Sequence, residues 1–283
     1  MQALIHQMHS AVVFACLFSL ALSGTNATAD EPESGSNPQS GQATPAADSD
    51  KHAQQEMVEG LQRQLAALPA NLSSVEVCSR RGDLLFFTAQ FEEAVDSYEA
   101  MVQLNPQLDA SHWRLGIAYF FNDQPDKAFR QFDKYHAFDD VDRENGIWRF
   151  LSQYKAAGAE AARKQLLRYQ KDDREPFPAV YRLFERTLTP TQVLQSIPAD
   201  LPEVERDKRL FYAELYVGLH YLVQNKRAEA KKFLKQAVDR SWPQTAGFGP
   251  HYMWQVARVQ LAELQQDDSP AEPSSASDDE PDR

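Results

Sequence analysis

The sequence predicts an all-α fold, an α-solenoid of helix–turn–helix repeats with capping helices. Three observations lead there. One pattern is written twice between Val75 and Asp142: Gly82, Ala94 and Tyr98 are answered by Gly116, Ala128 and Phe132, each 34 residues on. Apolar residues recur at helical spacing, beginning with Met57, Leu61 and Leu65. Proline and asparagine punctuate the expected helix ends, as in Leu104-Asn105-Pro106-Gln107 and Asn122-Asp123-Gln124-Pro125. A period of this length marks stacked two-helix units that bury their apolar faces only against one another.

The 283 residues are 42% hydrophobic and 25% charged, enough for a sizeable core. The net charge of −12 is uneven: −4 lies in residues 30–52, −6 in residues 267–283 and none in residues 1–29, which leaves −2 on residues 53–266. A nearly neutral body with acidic flanks argues against a nucleic-acid partner, which needs a basic face.

Residues 1–29 read as a signal peptide. Ala11–Leu22 is an apolar run of twelve residues. A spanning helix needs about 20 residues, whereas a signal core needs about 7–15 followed by small residues. Ala27-Thr28-Ala29 offers that cleavage site. The expected mature chain is exported, to the periplasm or beyond, and has no stable membrane span. The alternatives are an uncleaved short anchor and lipidation at Cys16, which would make an outer-membrane lipoprotein. An apolar run continues past Cys16 where a lipidated cysteine leads into a polar tether. Cleavage after Ala29 leaves Cys78 as the one cysteine, so no intrachain disulfide forms.

Residues 30–52, rich in Ser, Pro, Gly, Gln and acid, read as an acidic disordered linker. The helical domain spans 53–266. A single helix over 53–68 stops at Pro69 and caps the array. Repeats follow at about 75–108 and 109–142, with helices near 75–88, 91–104, 109–122 and 125–138. In each first helix a mid-helix glycine, about 1 kcal/mol worse than alanine, makes sense where two helices approach closely. Ala94 and Ala128 are the small residues opposite, and Tyr98 and Phe132 fill the space beyond. An irregular pair occupies 143–171, breaking at Gly158. An insertion, 172–208, holds two short helices; Thr189-Pro190 fits an N-cap with proline at the first helical position. The pattern returns in a repeat at 209–243, where Gly218, Tyr221, Ala230 and Ala237 take the phases of Gly116, Tyr119, Ala128 and Tyr135. A capping helix over 248–266 covers the last repeat, and residues 267–283 read as an acidic disordered tail.

The period and phases resemble the tetratricopeptide (TPR) repeat. From about 75 to 265 the layout further resembles the new-lipoprotein-I family of bacterial envelope TPR adaptors. The resemblance is carried by the two regular repeats, then Ile147-Trp148-Arg149-Phe150-Leu151, then Thr187-Leu188-Thr189-Pro190-Thr191-Gln192-Val193-Leu194, then Leu215-Tyr216-Val217-Gly218-Leu219-His220-Tyr221-Leu222 and a long final helix. It implies a scaffold or adaptor for envelope proteases and cell-wall hydrolases, in a family whose members often form homodimers. The chain departs from the family in its acidic flanks and in lacking a clear lipobox.

No catalytic constellation, cofactor motif or metal-ligand spacing emerges, so no enzyme, cofactor or metal is expected. His52, His112, His136, His220 and His251 form no H-E-x-x-H pattern. Asp140-Val141-Asp142-Arg143-Glu144 resembles the start of an EF-hand loop, but its twelfth position is Leu151 where a bidentate glutamate is required. Arg81-Gly82-Asp83 spells an integrin tripeptide around a packing glycine. The informative face is the inner side of the first helices, by which TPR proteins bind peptides. There Phe86, Phe87, Trp113, Ile117, Phe120 and Phe121 form an aromatic concave groove suited to a hydrophobic protein or peptide segment. The same residues are equally expected if they are core, covered by another part of the chain or by a second subunit. The competing function is a self-associating structural protein of the envelope without a peptide ligand.

Overall fold

The computed structural model describes residues 46–266 apart from 70 and 172, with side chains from residue 52 onward. The expected signal peptide, Cys16, most of the linker and the acidic tail lie outside the described residues. Within them the fold is all-α, with twelve helices and no strand. None of these helices is long and apolar enough to cross a membrane.

Helix α1 (Ala46–Ala66) begins earlier than its apolar periodicity and lays Met57, Leu61 and Leu65 against α2 (Val75–Phe87). Ser74 starts α2 as an N-cap, its Oγ accepting from the Val77 amide at 3.2 Å. The chain turns into α3 (Phe91–Leu104), and a second pair follows, α4 (Trp113–Phe121) and α5 (Pro125–Phe138). Helix α4 starts later than the expected residue 109. Pro106–Leu108 form a short 3-10 turn, and His112 Nδ1 caps the helix by accepting from the Leu115 amide at 3.3 Å. A third pair of the same kind is α9 (Glu203–Leu222) and α10 (Arg227–Val238). Its first helix takes in the end of the expected insertion.

These three pairs share one packing device. A Cβ on Gly82 would lie 2.6 Å from Tyr98 Cδ1, on Gly116 2.7 Å from Phe132 Cζ and on Gly218 2.8 Å from Leu234 Cγ. Real Cβ atoms do not approach so closely, so a side chain sixteen positions on is laid directly over the glycine backbone. The turns repeat as well. Ala89, Asp123 and Asn225, each seven residues after its glycine, have positive φ of 61°, 50° and 58°. The next residue in each turn closes a six-residue hydrogen-bonded loop: Gln90 N to Leu85 O at 2.9 Å, Gln124 N to Tyr119 O at 2.9 Å and Lys226 N to Tyr221 O at 3.0 Å.

The middle of the chain departs from this plan. Helix α6 (Arg143–Lys164) breaks at Gly158 (φ 84°, ψ 174°), as expected, but ends at Lys164 rather than near Gln170. The residues after it run as non-helical chain because Tyr169 returns to lie over Gly146, its hydroxyl donating to the Asp142 carbonyl at 2.9 Å. Helices α7 (Phe177–Phe184) and α8 (Pro190–Gln195) follow, the latter with a Thr189–Gln192 capping box.

This segment is fastened through Glu144. Its carboxylate accepts from the Tyr216 hydroxyl on α9 and pairs with the Arg174 guanidinium, which lies 4.3 Å above the Phe177 ring. Asp142 and Asp173 flank the same arginine. Asp142 also caps α6 by accepting from the Glu144 amide at 3.0 Å, so the EF-hand-like acids are spent on a cap and a joint. Burial outweighs Arg174 and pushes the Glu144 carboxyl up to about 7.

Helix α11 (Trp242–Thr245) leads to α12 (Phe248–Gln266), which packs on α10 and α11 and also reaches α2. Residues 252–261 are all buried, so α12 is enclosed around its circumference.

Two outcomes follow from this packing. Gly116→Ala should lower the unfolding free energy by about 1–2 kcal/mol, the overpacking cost less the gain in helix propensity. Adding Phe132→Leu should give a loss smaller than the sum of the single changes, read from denaturant unfolding. Because the Glu144 pKa is raised on folding, its contribution is fully present below pH ~4.5 and is lost as pH rises through about 7. Glu144→Gln should flatten the decline in stability between pH 5 and 7.5, by up to about 3 kcal/mol relative to the parent chain.

Candidate functional site

The first helices of the two N-terminal pairs turn Phe86, Phe87 and Trp113 toward Tyr252 of α12. Tyr252 is fully buried among them. Its ring centroid stands 5.3 Å from that of Phe86, 5.2 Å from Phe87 and 4.9 Å from Trp113. Phe121 packs on Phe86 at 5.1 Å, while Phe120 turns away to meet Trp148 of α6 at 5.5 Å. Phe86, Phe87, Ile117 and Phe120 are buried, and Trp113 and Phe121 are half-buried. The six residues therefore do not line an open groove. Tyr252 of the final helix packs on Phe86, Phe87 and Trp113, and Trp148 of α6 packs on Phe120. The sequence predicts the final helix only as a cap on the last pair.

Beneath the rings lies a polar network absent from the sequence reading. The Tyr98 hydroxyl donates to Asp83 Oδ1 at 2.7 Å and stands 3.3 Å from the Tyr252 hydroxyl. Arg114 Nη1 donates to Asp83 Oδ1 at 2.6 Å and to Ser79 Oγ at 3.0 Å. Burial raises the Asp83 carboxyl, opposed by Arg114 and the Tyr98 hydrogen bond. Burial, then Arg114, pushes the adjacent His112 down to about 3, which keeps that ring neutral as an acceptor for its cap. Asp83, the last residue of the integrin-like tripeptide, is thus an internal counterion.

Further along α12, Arg258 is 5% exposed. Its Nε donates to Gln255 Oε1 at 2.7 Å, and its Nη2 donates to the Phe87 carbonyl at the end of α2. It makes no ion pair among the described residues, and burial alone pulls its pKa down to about 10. Gln255 Nε2 stands 3.3 Å from His251 Nε2, and the His251 ring meets Phe87 edge-on at 6.1 Å. One turn before Arg258 on the same face, Trp254 Nε1 donates to the Val238 carbonyl at 2.9 Å, and its ring stacks on that of His251 at 5.8 Å.

A separate cleft of about 660 Å³ opens where the start of α9 meets α11, lined by Leu201, Val204, Asp207, Arg240, Trp242 and neighbours. Asp207 shapes it by accepting from the Trp242 amide at 2.9 Å and from Arg240 at 3.3 Å, and Arg240 pairs in turn with buried Glu214. Cys78 is buried, its Sγ 3.7 Å from the Leu72 carbonyl. Among the described residues no group of three or more His, Cys, Asp or Glu side chains is placed to hold a metal ion. No protein-family profile matches the chain.

The available signal for the enclosed helix was its composition. Seven of the ten residues 252–261 are apolar, and the polar stripe of His251, Gln255 and Arg258 is narrow, so most of the helix circumference asks for burial. Asp83→Asn leaves Arg114 without its counterion and should cost about 3–5 kcal/mol. Tyr252→Phe removes one hydroxyl and should cost about 0.5–1.5 kcal/mol. Thermal and urea unfolding of the two variants should keep that order.

Proposed function

We propose that the chain is a TPR-type scaffold of the bacterial envelope that binds protein partners rather than transforming a substrate. The observation that carries this reading is the recurring packing unit. Gly82 under Tyr98, Gly116 under Phe132 and Gly218 under Leu234 recur at one phase, with a left-handed turn residue seven positions after each glycine. Stacked units of this kind provide extended surfaces for peptides and helices. The apolar run at Ala11–Leu22 and the small residues at Ala27-Thr28-Ala29 support export. The resemblance to the new-lipoprotein-I family adds envelope proteases and cell-wall hydrolases as the partner class.

Because Trp113 and Phe120 are packed inside, replacing them would test folding as much as binding. Exposed positions are better reporters. Phe248, 47% exposed, starts α12 with the Arg114 guanidinium 5.2 Å over its ring, whereas Phe138, 58% exposed, ends α5. A photo-crosslinking amino acid at 248 should give discrete adducts with envelope proteins in intact cells, and the same group at 138 should give fewer. Absence of adducts at both positions from a folded chain would remove the scaffold reading. Adducts only between copies of the chain would favour the self-associating role.

A further inference from the structure

Helix α12 runs antiparallel to α10. Trp254, in its first half, donates to the carbonyl of Val238 at the end of α10. Arg227, at the start of α10, donates through Nη2 to the Leu264 carbonyl at 3.4 Å. A guanidinium on a last-turn carbonyl suits the negative end of a helix. The chain therefore leaves α12 at Gln266 beside the first turn of α10.

That turn opens a basic stretch. Residues 226–235 hold Lys226, Arg227, Lys231, Lys232 and Lys235 against Glu229, net +4, within a body of net −2 over 53–266. Four-residue spacing sets Arg227, Lys231 and Lys235 along one side of α10. Ala230, Leu234 and Ala237 take the buried side, while Lys226, Lys232 and Lys235 are exposed. Lys235 pairs with Asp239 at 2.5 Å, but both are solvent-exposed, and such a pair holds its partners weakly. Residues 267–283, which follow Gln266 directly, carry seven acids and one arginine, net −6, and no apolar residue larger than proline. Charge is the one means such a segment has of holding to a surface.

We propose that the basic side of α10 is a docking site for the chain's own acidic segment, residues 267–283. Sign of charge, point of departure and reach agree. Extended, the segment reaches about 55 Å, several times the ~12 Å of helix between Arg227 and Lys235. A second basic run, Arg163, Lys164, Arg168 and Lys171, is exposed at the end of α6 and beyond it. It has the charge without the tie to α12 that Arg227 provides. The docked segment neutralises the side of α10 and occupies it against other acidic segments. This inference stands apart from the scaffold reading.

Carbodiimide crosslinking of the full chain, read by mass spectrometry, tests the proposal, because the reagent joins carboxylates to amines with no spacer. Asp278, Asp279, Glu280 and Asp282 should join Lys231, Lys232 and Lys235 at least five times as often as they join Lys171. In an equal mixture of 14N and 15N chains these links should fall within single copies. Raising salt from 0.1 to 1 M shortens the screening length from about 10 to about 3 Å and should cut them at least threefold. Lys226→Gln combined with Lys235→Gln removes two exposed charges and should cut the remaining links at Lys231 and Lys232 at least twofold. Links unchanged by salt and by the double substitution would mean that tethering alone brings the groups together. Links mainly between copies would make a second chain the occupant. Either result, equal linking to Lys171, or no links to α10 would overturn the proposal.

Discussion

The ring of Tyr98 lies against the backbone of Gly82, and its hydroxyl reaches Asp83 on α2 and Tyr252 on α12. The ring contact sets how closely α2 and α3 approach. The hydroxyl contact ties that pair to the last helix. The other two regular pairs place Phe132 and Leu234 over their glycines, side chains that offer no such hydroxyl. Local pair packing is thus common to all three units, while the connection to α12 belongs to the first. Arg114 completes the arrangement as the counterion of Asp83, so the charge that orients Tyr98 is itself balanced inside the protein.

Much of the architecture was legible because close approach is a strict demand. A glycine at one phase with a bulky residue sixteen positions on has few explanations, and α3 and α5 occupy the expected 91–104 and 125–138. Boundaries slipped where a distant contact overrode local preference. The chain leaves helix after Lys164 so that Tyr169 can cover Gly146, and nothing within residues 159–170 encodes that need. The residue types of the groove were legible as well, but not their occupancy. Periodicity reports which face of a helix is apolar. It does not report what covers that face when the cover lies more than 120 residues further along.

Polar residues were the least legible part. In the sequence Glu144 stands in an acidic turn that fails as a calcium loop, and Asp83 in a tripeptide built around a packing glycine; neither points to its role. Each is instead half of a buried joint whose partner is remote in sequence: Arg174 and Tyr216 for the one, Tyr98 and Arg114 for the other. Arg258 is the exception among them, since its hydrogen bonds run to a side-chain amide and a peptide carbonyl and none to an acid. The helix that fills the interior therefore carries both Tyr252, bonded to Tyr98, and an arginine bonded to no acid among the described residues.

The contact between Arg258 and the Phe87 carbonyl spans 171 residues of sequence. In an open array each unit touches only its neighbours, and stability grows unit by unit, so an end can fray while the rest persists. Here the first unit and the final helix lean on one another. Loosening of either end withdraws support from the other, and the first pair lacks this cover until the residues around Tyr252 and Arg258 are in place. Length alone would make such a chain modular; a contact between its ends is the kind that couples them into one cooperative unit.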